Sequence, residues 1–293
     1  MIMAYNIPLN FDLAGKTAGV TGGGGVLCSG FSKTLAAAGA KVVVCDLRLE
    51  AAEKVAADIR ENGGDAIAVE MNVLDKASVE AAKAVIDEKY GYVHILVNGA
   101  GGNNPKGSTT RDNLTPDEVA ELDANGTIEG VKTFFDLDPE GISFVFNLNF
   151  LGTLIPTQVF ARDMAREGGT IINVSSMNAF RPLTRIPAYS GAKAAVSNFT
   201  QWLAVHFAPV GIRVNAIAPG FFLTEQNRTL LTNPDGSLTA RADKIITHTP
   251  MNRFGVPADL DGVLLWLADD KFSAFVDGVV VPVDGGFAAY SGV

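Results

Sequence analysis

The chain has 293 residues, 47% of them hydrophobic, so it is long and apolar enough for a sizeable core and is not a disordered protein. Its 23 basic and 32 acidic residues give a formal net charge of −9 without a basic stripe, which argues against a nucleic-acid partner. The two cysteines, Cys28 and Cys45, are too few for a disulfide framework and favour a reducing compartment.

The first residues, M-I-M-A-Y-N-I-P-L-N-F-D-L, lack the basic region and the long apolar region of a signal peptide. No apolar run reaches the roughly 18 residues that a membrane helix needs. We therefore expect a soluble, cytoplasmic protein without a membrane partner.

A glycine-rich turn follows the first predicted strand, Lys16 to Thr21, and precedes a helical pattern. Gly22 and Gly25 fit the spacing G-x-x-G-x-x-G, but Cys28 occupies the third place. Glycines allow a tight turn and let a pyrophosphate approach the amides of a helix start. The alternative is a plain tight turn. The predicted cofactor contacts in this stretch are Gly22, Gly24, Gly25, Val26 and Leu27.

The second predicted strand, Val42 to Cys45, ends in Asp46. A carboxylate there is placed to accept hydrogen bonds from the adenosine ribose hydroxyls, and it would repel a 2′-phosphate. The position favours NAD over NADP, with Leu47 beside it, although Arg48 softens that preference. The alternative is that Asp46 is a surface turn residue.

The pattern then alternates regularly between helix and strand, which predicts a doubly wound parallel α/β sheet. The predicted elements are helix Leu49 to Glu61, strand Ala66 to Glu70, helix Lys76 to Tyr90 and strand Val93 to Val97. Ligands bind such sheets beyond the carboxyl ends of the strands. Further cofactor contacts are expected there, at Asn72, Val73, Asn98, Gly99, Ala100 and Gly101.

Residues 103–139 interrupt the alternation as a long polar insertion. Thr115, Pro116 and Glu118 have the pattern of a helix start. A loop this long inside a compact domain is usually a lid or a substrate-binding element, the alternative being a solvated decoration. The predicted substrate contacts at its root are Asn103, Asn104 and Lys106.

One long helix is predicted from Gly141 to Glu167, and it carries Asn149 among apolar residues. A buried amide inside a helix can hold a water, open a backbone hydrogen bond, or be a satisfied core residue.

Tyr189 and Lys193 lie four residues apart at the start of the helix predicted over Ala188 to Ala208, and therefore on one face. An ammonium beside a phenol favours the phenolate and brings the tyrosine pKa nearer neutrality. Ser176 follows the strand Thr170 to Val174, where its hydroxyl can hold the oxygen that Tyr189 protonates. Alone, Tyr-x-x-x-Lys is a weak signal, since a half-buried aromatic and a solvated lysine have the same spacing.

The last part of the chain completes the sheet, with strands over Gly211 to Ile217 and Gly278 to Val283 and a helix over Pro257 to Asp269. Residues 224–249 have the composition of a second lid. Without repeats or a linker, residues 1–293 are predicted to form a single domain. The segment A-P-G-F-F-L-T-E (218–225) follows the sixth strand at the same edge of the sheet.

These features together resemble the short-chain dehydrogenase/reductase family over essentially the whole chain. The motifs and residues that carry the resemblance occur in the family's order: T-G-G-G-G-V-L, Asp46, N-G-A-G, Asn149, Ser176, Tyr189, Lys193 and A-P-G-F-F-L-T. The resemblance implies that Tyr189 is the general acid/base, that Ser176 orients the substrate oxygen and that Lys193 holds the nicotinamide ribose. It also implies that Asn149 completes a water-linked proton relay and that the protein is a homotetramer. The cofactor contacts that it implies after the sixth strand are Pro219, Gly220, Phe222 and Thr224, the last at the carboxamide. Cys28 and Gly99 depart from the family pattern.

Within that family, G-A-G-G-N-N-P-K-G-S-T-T and the ending D-G-G-F-A-A-Y-S-G-V are similar to the D-mannonate oxidoreductase (fructuronate reductase) group. This similarity implies NAD-linked interconversion of D-fructuronate and D-mannonate in hexuronate catabolism. A uronate needs a cation for its carboxylate and amides for its hydroxyls. The residues expected to supply them are Asn103, Asn104, Lys106, Asn178, Arg181 and Arg185, although each arginine is also plausible as a solvated loop residue.

Two other functions compete with this hypothesis. One is a reductase or dehydrogenase of a neutral polyol, ketose or cyclic ketone, and the other is a dinucleotide-binding regulator without turnover. No metal is expected, because His94, His206 and His248 are scattered and hydride transfer needs none.

Overall fold

The structure is a computed structural model that describes residues 10–223 and 231–292. Its centre is one sheet of seven parallel strands in the order β3-β2-β1-β4-β5-β6-β7. The strands are β1 (Thr17–Thr21), β2 (Lys41–Asp46), β3 (Asp65–Glu70), β4 (Ile95–Asn98), β5 (Gly169–Val174), β6 (Ile212–Pro219) and β7 (Val280–Val283). The single-domain, doubly wound parallel sheet expected from the sequence is confirmed.

Helices cover both faces of this sheet. The helices of the described residues, not all of which pack on the sheet, are α1 (Val26–Ala37), α2 (Leu49–Glu61), α3 (Lys76–Tyr90), α4 (Pro116–Asn125), α5 (Pro139–Phe146), α6 (Gly152–Glu167), α7 (Pro187–Phe207), α8 (Ala240–Thr247), α9 (Asp261–Ala268) and α10 (Asp270–Ser273). Because both faces are covered, successive strand residues enter opposite cores. Val42 and Val44 belong to the core that includes Phe31 and Leu264, whereas Val43 packs in the opposite core.

The order of the strands reverses between β1 and β4, which are hydrogen-bonded neighbours. A parallel sheet binds ligands in the crevice at such a switch point, outside the carboxyl ends of the strands. The glycine turn after β1 and the N-G-A-G-G segment after β4 flank this crevice. The fold therefore brings the two predicted glycine segments side by side.

The long helix expected from Gly141 to Glu167 differs from the structure, because a π-helical turn, Asn147–Leu151, separates α5 from α6. By length and composition the helix Pro139–Glu167 could span a membrane, because it contains an 18-residue window with a mean hydropathy of 1.3. Half of its apolar window is buried inside the protein, as in the core helix of a globular fold. Val159, Phe160 and Met164 pack in the core with Ile86 of α3.

The insertion 103–139 contains α4, which begins as predicted with the Thr115–Glu118 capping box and Pro116. Two short 3₁₀ turns, Pro105–Gly107 and Phe134–Asp136, complete it. Of the predicted lid 224–249, residues 231–249 are described and include α8. Thr224 lies outside the described residues.

Candidate active site

Tyr189 and Lys193 lie in the first two turns of α7, which begins with Pro187. Lys193 is only 3% exposed, and its Nζ donates to the carbonyl oxygen of Val174 at 2.7 Å. Its Nζ lies 5.6 Å from the centroid of the Tyr189 ring. The four-residue spacing thus places both side chains on one face, and the last residue of β5 fixes the lysine.

Ser176 lies two residues beyond β5 and is 7% exposed. Its Oγ accepts a hydrogen bond from the backbone N–H of Asn178 at 3.2 Å. A hydrogen bond between the side chains of Ser176 and Tyr189 lowers the pKa of Tyr189. The serine therefore adjoins the tyrosine hydroxyl, where a substrate oxygen can be held between them.

Burial dominates the titration of this group of residues. Desolvation raises the pKa of Tyr189 above its ordinary value of 10, and the hydrogen bond from Ser176 offsets only part of that rise. Desolvation also lowers the pKa of Lys193 to about 8. The expectation that Lys193 brings the Tyr189 pKa toward neutrality is wrong for the polypeptide by itself. The lysine Nζ is bound to Val174, and desolvation is the leading cause of the raised Tyr189 pKa.

Asn149 sits in the π-helical turn and is completely buried. Its Nδ2 donates to the carbonyl oxygens of Val145 and Gly102, both at 2.8 Å, and its Oδ1 accepts from the N–H of Gly102 at 3.3 Å. The hydroxyl of Thr153 donates to the Asn149 carbonyl at 2.9 Å. Of the alternatives left open by the sequence, this amide therefore takes part in an altered helical turn and fixes the segment after β4.

Gly101 lies where Asn149 and Lys193 approach each other. A β-carbon at this position would lie 2.6 Å from Asn149 Oδ1 and 3.2 Å from Lys193 Nζ. Any larger residue would displace one of the two side chains, so glycine keeps this corner of the crevice open. The space beside the lysine suits a nucleotide that passes close to the backbone.

The glycine turn after β1 has the form that a pyrophosphate site requires. Gly22 has φ +64°, and a β-carbon there would lie 2.9 Å from the Cα of Ala100. Gly25 precedes α1 and makes no side-chain cap, so no side chain occupies the N–H groups at this helix start. Those groups and the helix dipole favour a phosphate. Val26 and Leu27 are the first residues of α1, as expected.

Asp46 ends β2 and is 9% exposed. Its Oδ2 accepts from the N–H of Gly24 and its Oδ1 from the N–H of Arg48, each at 3.0 Å. A carboxylate oxygen has a second lone pair, so both oxygens can still accept from ribose hydroxyls. Asp46 thereby joins the glycine turn to the second strand and is more than a surface turn residue. Leu47 beside it is 63% exposed.

The other predicted cofactor residues line the same edge. Thr21 Oγ1 accepts from the N–H groups of Gly99 and Ala100 at 3.0 and 3.1 Å. Asn98 is buried and donates to Thr157 and Asn173. The remaining residues after β3 and β6 lie at this edge too: Asn72, Val73, Pro219, Gly220 and Phe222.

A cavity of about 470 Å³ lies between the loop that follows Ser176, the segment after β6, and α8. Of the predicted substrate residues, Arg181 and Arg185 line it. Four others lie elsewhere: Asn103, Asn104, Lys106 and Asn178.

Three of the four residues outside the cavity have side-chain partners of their own, and the fourth, Asn178, donates its backbone N–H to Ser176. Lys106 is exposed and pairs with Asp138 at 3.6 Å. Asn103 bonds to Ser108. Asn104 Oδ1 accepts the N–H of Lys106 in the 3₁₀ turn, and Asn178 is buried beside Ser176.

Four further charged or titratable residues, for which the sequence predicted no role in binding, line the same cavity: Asp112, Arg241, Lys244 and His248. Asp112 comes from the insertion, and no local pattern links it to the others. The three basic residues recur at positions 241, 244 and 248, which is the spacing of one helical face, so this part of the cluster was detectable from the sequence.

The arrangement is suited to proton transfer at a substrate oxygen. A half-buried phenol and a hydroxyl converge beside an amine, and the crevice at the switch point has a glycine turn at a helix start and the Asp46 carboxylate. Within residues 10–223 and 231–292, no three His, Cys, Asp or Glu side chains cluster as metal ligands.

Comparison with known proteins identifies this architecture. Residues 16–136 match the family described as short chain dehydrogenase, and residues 124–288 match the one described as enoyl-(acyl carrier protein) reductase. An uncharacterized oxidoreductase of Haemophilus influenzae is 56% identical, with both chains covered completely.

Two solved structures are similar over nearly the whole chain. A candidate D-mannonate oxidoreductase from Haemophilus influenza with bound NAD has a TM-score of 0.90 and 55% identity, covering 96% of this chain and 98% of that one. A gluconate 5-dehydrogenase from Burkholderia cenocepacia, in complex with NADP and tartrate, has a TM-score of 0.77 and 31% identity, with the same coverage. The order of motifs, the seven-stranded sheet and these relatives agree, and the chain belongs to the short-chain dehydrogenase/reductase family of oxidoreductases that act on CH–OH groups.

Proposed function

We propose that this protein is an NAD-dependent oxidoreductase that interconverts a keto sugar acid and its alcohol, specifically D-fructuronate and D-mannonate in hexuronate catabolism. The observation that carries the proposal is a chain of contacts: Ser176 hydrogen-bonds Tyr189, Lys193 lies 5.6 Å from the Tyr189 ring, and Lys193 and Asn149 approach each other at Gly101. A protein that only binds a dinucleotide has no need of all four groups, which argues against the regulator.

Each member of the four has a distinct role in the proposed reaction. Tyr189 gives a proton to the carbonyl oxygen during reduction and removes it during oxidation. Ser176 holds the same oxygen. Lys193 binds the nicotinamide ribose, and Asn149 keeps the segment after β4 in place beside it. The nicotinamide, when bound, supplies or accepts the hydride.

NAD is the proposed cofactor because Asp46 presents both carboxylate oxygens at the end of β2. A 2′-phosphate at that position would meet a negative charge. The relative with bound NAD supports this choice. The proposed contacts are Gly22, Gly24, Gly25, Val26, Leu27, Asp46, Leu47, Asn72, Val73, Asn98, Gly99, Ala100, Gly101, Pro219, Gly220, Phe222 and Thr224.

A sugar acid is the proposed substrate because cationic side chains line the cavity beside the catalytic loop, which is the loop from Met177 to Ile186 between Ser176 and α7. This cluster of positive charge occurs in a chain whose net charge is −9. The names of the related D-mannonate and gluconate enzymes support the same substrate class. The apolar part of the cavity wall, Leu183, Ile186, Phe221 and Phe287, favours the second candidate, a neutral polyol, ketose or cyclic ketone.

We also propose that the protein is a cytoplasmic homotetramer. Two stacked aromatic side chains on α7, Trp202 and His206, support association of subunits. Their ring centroids lie 4.6 Å apart, and Trp202 is 56% exposed. Exposed stacked aromatics of this kind are common at subunit interfaces. Light scattering during gel filtration measures the subunit number directly, and a monomeric mass would contradict the proposal.

Absorbance of reduced nicotinamide tests the function. Purified protein is given NAD or NADP with D-mannonate, D-gluconate, mannitol or a cyclic alcohol. We expect turnover with D-mannonate and NAD, and much slower turnover with NADP. Activity on neutral alcohols without activity on D-mannonate would favour the second candidate instead.

A further inference from the structure

We propose that Arg181 and Arg241 form the carboxylate-binding subsite of the enzyme, and that Asp112 fixes the neighbouring Arg185 and Lys244 as the wall of that subsite. The inference rests on the proposed function, because it names the groups that recognise the acid end of a sugar acid. It adds Arg241 as a specificity-determining residue and gives Asp112 a positioning role.

Asp112 ties three separate segments together. Its Oδ1 accepts from Arg185 Nε at 2.6 Å and from the Thr184 hydroxyl at 3.0 Å, and its Oδ2 accepts from Lys244 Nζ at 2.8 Å. The hydrogen bonds from Lys244 and Arg185 hold the pKa of Asp112 well below its usual range. The carboxylate therefore stays ionised and joins the insertion, the catalytic loop and α8.

Arg185 is held by its backbone as well as by its side chain. Its φ is +66°, a conformation that non-glycine residues rarely adopt, and its carbonyl accepts the N–H of Thr109 at 2.8 Å. Such a conformation persists when surrounding contacts impose it. Of the two arginines predicted from the sequence, Arg185 is thus already committed to a carboxylate of the protein itself.

Among the described residues, Arg181 and Arg241 have no acidic partner, whereas Arg185 pairs with Asp112. Arg181 uses Nε to donate to the carbonyl of Ala288 at 3.2 Å, and its terminal nitrogens have no partner among the described residues. The side chain of Arg241 makes no hydrogen bond or ion pair with the described residues, and it lies in the first turn of α8, which also holds Asp243.

The cavity that these two arginines share suits one carboxylated six-carbon chain. Its volume of about 470 Å³ falls within the usual range for small-molecule sites. Arg181, Arg185, Arg241 and Lys244 face it with Asp112 as the one acid in its described lining, so excess positive charge remains after the ion pairs form. Guanidinium groups bind carboxylates with two parallel hydrogen bonds, which also orients the substrate.

The cavity adjoins the loop that leads to the catalytic groups, and its described lining contains none of the four catalytic side chains themselves. Its wall includes the loop from Arg181 to Ile186, which follows Ser176 and leads directly into α7 and Tyr189. A substrate anchored by its carboxylate at the arginines can extend along this loop toward the tyrosine. Phe221 and Phe287, whose ring centroids lie 5.2 Å apart, line another side of the cavity.

The test compares Arg181→Gln and Arg241→Gln with Arg111→Gln, which removes an exposed arginine that pairs with Glu118 and lies outside the cavity. Two measurements are made on each protein. The first is KM and kcat for D-mannonate and for its uncharged amide. The second is calorimetric binding of D-mannonate to the protein saturated with NADH, which does not depend on turnover.

Loss of one charge-assisted contact is expected to weaken D-mannonate binding and raise its KM by about 10- to 100-fold. Kinetics with the amide and affinity for NADH are expected to stay within about two-fold of the wild-type values. Arg241→Lys is expected to bind D-mannonate more tightly than Arg241→Gln but less tightly than the wild type. Lysine keeps the positive charge but cannot make the two parallel hydrogen bonds of a guanidinium group. The Arg111→Gln variant should behave as wild type.

Two failures are distinguishable. If the wild type binds D-mannonate and Arg181→Gln and Arg241→Gln bind it as tightly as Arg111→Gln does, the carboxylate subsite is wrong while the function stands. If the wild type neither binds nor oxidises D-mannonate, the proposed function itself is wrong. A melting temperature equal to that of the wild type confirms that each exposed arginine was replaced without unfolding.

Discussion

The sulfur of Cys28 occupies the space that a side chain at Gly99 would need. A β-carbon on Gly99 would lie 2.2 Å from Cys28 Sγ and 2.9 Å from the carbonyl oxygen of Thr21. Each residue is a departure from the pattern that the sequence otherwise shares with its family. The geometry makes them one feature, since the cysteine on α1 fills the space left by the glycine after β4.

Substitution of Gly99 by alanine is therefore expected to destabilise the protein by about 1–3 kcal/mol, the usual result of overpacking. The same substitution in a Cys28→Ala background should cost at least about 1 kcal/mol less, because the closest contact is with the sulfur. The Cys28→Ala background is not expected to remove the whole cost, because the new β-carbon would still lie 2.9 Å from the carbonyl oxygen of Thr21. Urea unfolding of the four proteins gives the coupling energy. Additive effects would mean that the two positions do not share this space.

Gly101 and Gly102 provide a matched pair of substitutions. A β-carbon at Gly101 would meet Asn149 Oδ1 at 2.6 Å, whereas one at Gly102 has its nearest contact, with Leu148, at 3.7 Å. Displacement of catalytic groups by about 1 Å costs on the order of 100-fold in rate. We expect kcat of Gly101→Ala to fall by about that factor and kcat of Gly102→Ala to change little. Equal rates for the two variants would show that Asn149 and Lys193 need not hold these positions.

Burial of the charged Lys193 side chain is predicted to lower the free energy of unfolding, although the proposed reaction needs this lysine. Its pKa is about 8 in the folded protein and 10.5 unfolded, so the unfolded state binds more protons between these values. The free energy of unfolding therefore rises with pH from about 8 to 10.5, and below pH 8 the buried charge costs about 3 kcal/mol. Replacing Lys193 by an uncharged residue would remove this cost, but it would also remove the hydrogen bond to Val174, which is worth about 1 kcal/mol.

Lys193→Met is accordingly expected to be inactive but about 2 kcal/mol more stable than the wild type at pH 7. The difference should shrink as the pH approaches 10.5. Denaturant unfolding at several pH values measures it, with Lys54→Met, at an exposed helix position, as the control. A Lys193→Met protein that is less stable at pH 7 would show that the lysine contributes more by its contacts than its burial costs.

Much of the site was predictable because its residues follow strands. In a parallel sheet, carboxyl ends meet at one edge, so Gly22, Asp46, Asn98 and Ser176 were expected together without knowledge of distances. The spacing of Tyr189 and Lys193 likewise fixed their common helical face.

What the sequence did not reveal depends on contacts between distant segments. Asp112 and Lys244 are 132 positions apart, and their ion pair arises from how the insertion folds against α8. The π-helical turn around Asn149 depends on hydrogen bonds to Gly102, from another segment. The pKa values of Tyr189 and Lys193 are governed by burial, which spacing alone does not show.

The most direct test of the proposed chemistry follows deuterium from cofactor to product. Wild-type protein and Tyr189→Phe are incubated with D-fructuronate and NADH that carries deuterium at the transferable position of the nicotinamide. We expect the wild type to yield D-mannonate with one deuterium on the former carbonyl carbon, and Tyr189→Phe to yield it at least about 100-fold more slowly. Deuterium-free product, no D-mannonate, or an equally fast Tyr189→Phe variant would contradict hydride transfer with Tyr189 as the proton donor.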